Sequence, residues 1–293
     1  STPGKATAEF IATHRNDDVR ILAFKSADGV DMPLALEQIA GYQKARRKLP
    51  QWSGVDGMLF PPSLSMEQCS SEQTALYKAS LLASRSGSFA DLTGGFGVDF
   101  SYLAARFAKA TYIECNPKLC AIARHNFALL GLTHAEVVCG DSVECLRNLA
   151  PVDVIYLDPA RRDANGGRTF AISDCTPDAV VLLPLLLEKA ETVMIKLSPM
   201  LDWHKAVADF RGHVAEVHIV AVDNECKELL LILRRDTTEC PKVVCVNNGC
   251  VFSPTPYIYI IRCSAPSVDF SQLHGFLLVP NAAIMKAGCF AQV

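Results

Sequence analysis

The sequence has no apolar run long enough to cross a bilayer. The longest, Ala179 to Leu187, is nine residues and contains Pro184, against about 20 for a spanning helix. The N-terminus, STPGKATAEF, has no basic segment leading into an apolar one, so it carries no mark of a secretory signal. The 12 cysteines include no CxxC pair. The evenly spaced Cys240, Cys245 and Cys250 have no short ligand pair or nearby histidine, so they argue little for a metal site. A secreted disulfide framework belongs to shorter chains that carry a signal peptide. The cysteines therefore read as reduced, mostly buried thiols. The net charge of −3 shows none of the global basic excess that announces nucleic-acid binding. Internal repeats and low-complexity segments are absent too. These absences lead to the expectation of a soluble, cytoplasmic protein without a metal.

What is present is a large supply of core. Half of the 293 residues are hydrophobic, and the mean hydropathy is +0.19. Residues 1–85 carry helical patterns. Pro3 suits a first turn, a second helix is expected through PLALEQIAGYQKARRK, and Ser70 and Gln73 stand at capping-box spacing before EQTALYKASLLA. From residue 88, short apolar runs alternate with amphipathic helices: FADL, TYIE, AEVVC, VDVIYLD and TVMIKL each precede a helical stretch. VAEVHIVAV and LLLIL follow as two further strands. This alternation predicts an α/β, doubly wound, mainly parallel sheet over residues 86–238. KVVCV, PYIYIIRC, GFLLV and the helix NAAIMKAGCF predict a small α+β domain over residues 239–293, with an abrupt end that suggests an incomplete domain.

Doubly wound sheets bind ligands at the carboxyl ends of their strands. There the sequence places ADLTGGFGVD, a loop with Gly94, Gly95 and Gly97 between a strand and a helix. Such loops serve several nucleotide cofactors. Asp91 at its mouth is the discriminating residue, because a carboxylate repels a pyrophosphate and suits a ligand with positive charge. Glu114 ends the second strand, where an acid can accept from both ribose hydroxyls. Asp141 ends the third strand and Asp158 the fourth, in CGDS and LDPAR. Each acid alone could be a helix cap or a solvated loop residue. Together they place four carboxylates on one rim.

ADLTGGFGVD, YIECN, CGDS and LDPAR resemble the motif series of class I S-adenosylmethionine-dependent methyltransferases over roughly residues 70–235. The resemblance implies a seven-stranded Rossmann-like sheet and S-adenosylmethionine as cofactor. It assigns cofactor contacts to Asp91, Thr93, Gly94, Gly95, Gly97, Asp99, Glu114, Cys115, Asn116, Asp141, Ser142, Asp158 and Pro159. Over the whole chain, QCSSEQTALYK, DPARR and PNAAIMKAGCF resemble bacterial methyltransferases with a C-terminal THUMP-like domain, which suggests RNA as partner. Arg161, Arg162 and Arg168, and the run Lys44, Arg46, Arg47 and Lys48, offer local positive charge for phosphate. A solvated loop or helix face accounts equally well for each cluster.

Three acceptor chemistries compete. Methylation of a base amino nitrogen suits Asp158 and Pro159, although Arg161 stands where an aromatic would stack on the base. Attack by a pyrimidine carbon needs a cysteine nucleophile after the fifth strand, where this chain has LSPM with Ser198. The third chemistry explains Lys196, a charge in the otherwise apolar VMIKLSPM. Lys78, Asp158, Lys196 and Glu228 are separated by 80, 38 and 32 residues. Their order resembles the tetrad of FtsJ-type ribose 2′-O-methyltransferases. That resemblance implies Lys196 as base for a ribose hydroxyl, Lys78 lowering its pKa, Asp158 orienting it, and Glu228 holding the ribose or the lysines. A simple Lys196–Asp158 salt bridge is the bland alternative, and Glu225 competes with Glu228. Other functions stay open: a nucleotide- or RNA-binding module without catalysis, a methyltransferase of a protein or small molecule, and an NAD-dependent oxidoreductase, which Asp91 disfavours.

Overall fold

The computed structural model describes residues 3–82, 87–161, 172–238, 240–253 and 279–289. The chain divides into two compact units, Ser1–Cys145 and Leu146–Val293.

The first unit opens with helices. The longest, Met32–Lys48, starts where Asp31 accepts from the Leu34 N–H, with a proline in its first turn. The helix Glu72–Leu81 is capped by Ser71, whose side chain accepts from the Thr74 N–H. The expectation had given this place to Ser70. Adjacent serines are indistinguishable by spacing, and Ser70 Oγ is turned to Asp99 at 2.7 Å instead. Three parallel strands follow, β1 (Ser88–Asp91), β2 (Lys109–Glu114) and β3 (Ala135–Cys139), in the order β1-β2-β3. The helices Val98–Ala104 and Pro117–Leu129 connect them.

One core holds the N-terminal helices and the loop after β1 together. Trp52, Met58, Phe60 and Met66 surround Phe96, which lies within the glycine loop. The Trp52 and Phe96 rings meet edge to face, 5.0 Å apart, a favoured aromatic geometry. Two buried amides clamp the chain beside this core. Gln38 exchanges two hydrogen bonds of 2.8 Å with the Phe60 backbone. Asn126 does the same for Leu59, at 2.9 and 2.8 Å. Each amide satisfies a buried N–H and C=O that no strand pairs.

Among the described residues, the second unit holds eight strands, six of them in the main sheet. β4 (Val152–Leu157) is followed by a two-residue ladder of β5 (Ala160–Arg161) with β6 (Cys175–Thr176). Then come β7 (Ala190–Leu197), β8 (Val214–Val222), β9 (Glu225–Arg234), β10 (Lys242–Asn247) and β11 (Cys250–Phe252). The main sheet here runs β11-β10-β8-β9-β7-β4. β4 is parallel to β7, and β9 is antiparallel to both β7 and β8. The β8–β9 hairpin turns on Asp223 and Asn224, both at positive φ (50° and 59°), which short polar side chains tolerate.

The expected seven-stranded sheet is thus corrected to one of nine strands among the described residues, three in the first unit and six in the second. The additions are β10 and β11. KVVCV was expected in a separate C-terminal domain, but Val243 to Val246 are buried and pair along β8. Strand propensity marked the segment, and its long-range partner is what local pattern does not carry. The helix Ala282–Ala287 packs on the same unit, with its Ala282 N–H donating to Asn224 Oδ1 at 2.7 Å and Lys286 Nζ to the Leu201 carbonyl at 2.9 Å. PYIYIIRC, most of GFLLV, Arg162 and Arg168 lie outside the described residues. Among the described residues, no helix is long and apolar enough to cross a membrane, and no group of three or more potential ligands could hold a metal ion.

Candidate cofactor and catalytic site

In the first unit, three acids stand at the carboxyl ends of three neighbouring strands: Asp91 ends β1, Glu114 ends β2, and Asp141 follows β3. Parallel pairing brings Asp91 opposite Tyr112 and Glu114 opposite Cys139. The register therefore keeps the three acids along one edge.

Asp91 is 1% exposed, and its Oδ1 accepts from the Thr93 N–H at 2.9 Å. The loop then folds back on β2. The Gly94 N–H donates to the Ile113 carbonyl at 2.8 Å, and the Gly95 N–H donates to Glu114 Oε2 at 2.9 Å. The Tyr112 hydroxyl donates to the Gly95 carbonyl. Glu114 Oε1 accepts from the Asn116 N–H at 2.8 Å and from the Cys115 thiol. Each Glu114 oxygen thus uses one backbone donor, while a carboxylate offers about four acceptor sites. Burial and the Glu114 carboxylate push the Cys115 thiol up. Asn116 caps the next helix through the Lys118 N–H.

Asp141 is exposed, and its Oδ1 accepts from the N–H groups of Val143 and Glu144, both at 2.9 Å. It is therefore the cap of the helix Ser142–Asn148, and Ser142 is that helix's first residue. The cap occupies one oxygen and leaves the other to a ligand. Replacing Asp141 with alanine is expected to cost about 1 kcal/mol through the cap alone. Asparagine caps as well, so Asp141→Asn should keep the unfolding midpoint while weakening any contact that needs the charge. Urea unfolding of both variants checks this, and equal losses would sink it.

The glycines serve packing first. A Cβ at Gly97 would fall 2.8 Å from the Phe127 ring, and one at Gly94 2.2 Å from the Tyr112 ring. The loop lies so close to β2 and to the helix Pro117–Leu129 that side chains at these places do not fit. Asp99 and Lys78 also belong to this unit. Lys78 Nζ is 3.1 Å from Asp99 Oδ1, and both residues are buried.

In the second unit, Asp158 directly follows β4 and Lys196 is the penultimate residue of β7. Leu157 pairs with Ile195, so one further step brings Asp158 beside Lys196. Lys196 Nζ donates to Asp158 Oδ2 at 2.5 Å. The lysine side chain is 13% exposed and the aspartate 38%, so the pair is partly open to solvent. Glu228 joins them by register. Lys196 pairs with Leu230 on antiparallel β9, and Glu228 stands two residues before Leu230. Alternation puts Glu228 on the face of Leu230 and Lys196, at the diagonal distance that long side chains span. Glu228 is 3% exposed, whereas the competing Glu225 is exposed and paired with Lys227. Pro159 is buried beside Asp158, and Ser198 is half-buried after β7.

Of the four-residue pattern, the second unit brings together Asp158, Lys196 and Glu228, and Lys78 has its described partners in the first. The run Lys44–Lys48 is largely consumed by folding. Lys44 pairs with Glu67 at 2.7 Å, and Lys48 donates to the carbonyls of Met66 and Glu67. Sequence reasoning missed Phe96 as the anchor of the glycine loop and Ser70 as a partner of Asp99. The aromatic inside a glycine-rich stretch was the available signal for Phe96.

No family model matches the chain. A crystal structure from Porphyromonas gingivalis W83, provisionally assigned as a methyltransferase, is 31% identical, with a TM-score of 0.84 over 98% of this chain and 73% of that one. Two uncharacterized S-adenosylmethionine-dependent methyltransferases of Mycobacterium tuberculosis, strains CDC 1551 and H37Rv, are each 29% identical over 173 residues. That match covers 56% of this chain and 46% of theirs, so it spans about half the length of these curated relatives. A provisionally assigned class I enzyme of the same kind from Listeria monocytogenes shares the fold at 13% identity and a TM-score of 0.50, over 84% of this chain and 94% of that one. The chain belongs to the S-adenosylmethionine-dependent methyltransferases of the class I α/β fold.

The donor set of the first unit fits that cofactor. Among the described residues, neither Glu114 nor Asp141 is paired with a lysine or arginine. Three strand-end carboxylates suit a ligand with an ammonium, a ribose diol and an adenine amino group.

Proposed function

We propose that this protein transfers the methyl group of S-adenosylmethionine to RNA, at a ribose 2′-hydroxyl. The observation that carries the reading is the Lys196–Asp158 pair, a partly exposed lysine held by an acid at the carboxyl end of a buried strand. A ribose hydroxyl is a weak nucleophile until its proton is drawn away. Lys196, once its own proton has passed to solvent, takes the hydroxyl proton, and Asp158 fixes its Nζ and balances the ammonium charge that results. Glu228, on the same face, accepts from the sugar or from Lys196. Asp91 takes the cofactor's cationic amino-acid end, Glu114 its ribose and Asp141 its adenine amino group. Thr93, Gly94, Gly95 and Gly97 shape the loop against it, with Cys115, Asn116 and Ser142 at the margins. When bound, the cofactor supplies an activated methyl on a sulfonium, and the protein's contribution is chiefly positioning. Arg161, Arg162 and Arg168 supply phosphate contacts, and residues 239–293, whose β10 and β11 extend the main sheet, act with them in binding RNA in a THUMP-like manner.

The second reading, methylation of a base amino nitrogen, rests on Asp158 and Pro159 standing together at the end of β4. Nucleoside mass spectrometry of RNA from cells with and without the gene separates the two. Loss of a 2′-O-methyl nucleoside is the expected result. Loss of an N-methyl base moves the assignment to Asp158 and Pro159. An unchanged RNA profile, together with a saturable calorimetric titration of S-adenosylmethionine, excludes RNA as the acceptor and leaves the cofactor assignment standing.

A further inference from the structure

Lys78 has no exposed side-chain surface, in the helix Glu72–Leu81 of the first unit. Its Nζ lies 3.1 Å from Asp99 Oδ1 and donates to Ser70 Oγ at 3.2 Å, and Ser70 Oγ donates to Asp99 Oδ2 at 2.7 Å. The three groups close a ring of short polar contacts inside the protein. Burying an ammonium with a carboxylate is costly, and an apolar pair of similar volume often serves stability as well or better. The ring therefore calls for a reason other than stability.

Its position supplies one. Asp99 is the second residue of the helix Val98–Ala104, immediately after Gly97 closes the cofactor loop. Ser70 lies in the turn before the helix that carries Lys78. The near end of the loop is fastened to β2 through Gly94, Gly95 and the Tyr112 hydroxyl. Phe96 in its middle is fastened by Trp52. The far end is fastened by Asp99.

We propose that Lys78 is a positioning residue for the cofactor loop, acting through Asp99 and Ser70 to hold residues 95–98 in the shape that receives S-adenosylmethionine. This rests on the reading that the loop binds that cofactor. A charged ring holds a helix end to one place because Asp99 in any other place leaves a buried charge unpaired. An apolar substitute packs but sets no such geometry.

The test uses the full chain, with calorimetric titration of S-adenosylmethionine and hydrogen exchange of the amides of residues 94–98. Lys78→Met strands a buried carboxylate and can unfold the chain, so the deciding variant is Lys78→Met with Asp99→Leu, which removes both charges. The double variant is expected to keep the wild-type circular dichroism and unfolding midpoint. It should bind the cofactor at least about tenfold more weakly, with faster exchange confined to the loop. Wild-type affinity and exchange in the folded double variant would overturn the proposal and leave the ring as packing. Failure of the wild-type chain itself to bind S-adenosylmethionine overturns the cofactor reading, and the proposal with it. Ser70→Ala adds a graded check, with a smaller weakening in the same direction.

Discussion

Replacing Lys196 with arginine is expected to slow methyl transfer by at least about 100-fold while leaving S-adenosylmethionine binding within about twofold of wild type. Arginine keeps the positive charge and can keep a contact with Asp158, but it cannot give up its proton in a protein. A lysine that is only the salt-bridge partner of Asp158 tolerates the change. A lysine that takes the proton of the acceptor does not. General-base catalysis is worth roughly 10²- to 10⁴-fold, so the loss in kcat should fall in that range for Lys196→Arg and Lys196→Met alike. Single-turnover transfer of a labelled methyl group to RNA from cells lacking the gene measures it. Turnover by Lys196→Arg within a few-fold of wild type removes Lys196 from the role of base and favours the amino-nitrogen chemistry. Asp158→Asn should give a smaller loss, because the amide oxygen can still orient the ammonium while contributing no charge.

The sheet was legible where local pattern decides it. Parallel strands buried on both faces read as apolar runs between amphipathic helices, and antiparallel β9 shows the same apolar run in LLLIL, so the seven main-sheet strands from β1 to β9 were marked in the sequence. The placing of Lys196 beside Asp158 was also within reach, because each sits at the end of its strand and the β4–β7 register aligns strand ends. Non-local choices were less legible. Nothing in KVVCV says that it pairs with β8, and nothing in the adjacent serines says that Ser71 caps while Ser70 turns inward. Lys78 shows the limit most clearly. Its place in the chain suits a catalytic pattern, but the acid it meets, Asp99, is 21 residues away in sequence and on another helix. Charge and spacing identify a lysine that matters without naming its partner.

The glycine loop carries the other large effect. The reading from sequence was that its glycines admit a ligand, and the packing adds a stricter demand. A Cβ at Gly94 would stand 2.2 Å from Cε2 of Tyr112, closer than any real contact. The ring cannot withdraw. Tyr112 is fully buried, its hydroxyl is held by the Gly95 carbonyl, and Phe100 and Phe127 stand edge-on to it, each 5.4 Å away. Gly94→Ala must therefore lift the loop and break the bonds from Gly94 to Ile113 and from Gly95 to Glu114. Overpacking of this kind costs about 1–3 kcal/mol, and with the loop displaced, cofactor affinity should fall by at least about tenfold. Gly131→Ala is the control. Gly131, unlike Gly94, has a positive φ, +71°, and a Cβ there meets nothing within 4 Å. It should cost about 1–2 kcal/mol of backbone strain and leave affinity unchanged. Shrinking the obstructing ring gives the final check. In Gly94→Ala with Tyr112→Leu, the space opened should return part of the lost affinity. The double variant should then be less impaired than the two single changes predict together, the non-additivity expected of side chains in contact. Simple additivity would mean that the Tyr112 ring is not what excludes a side chain at position 94.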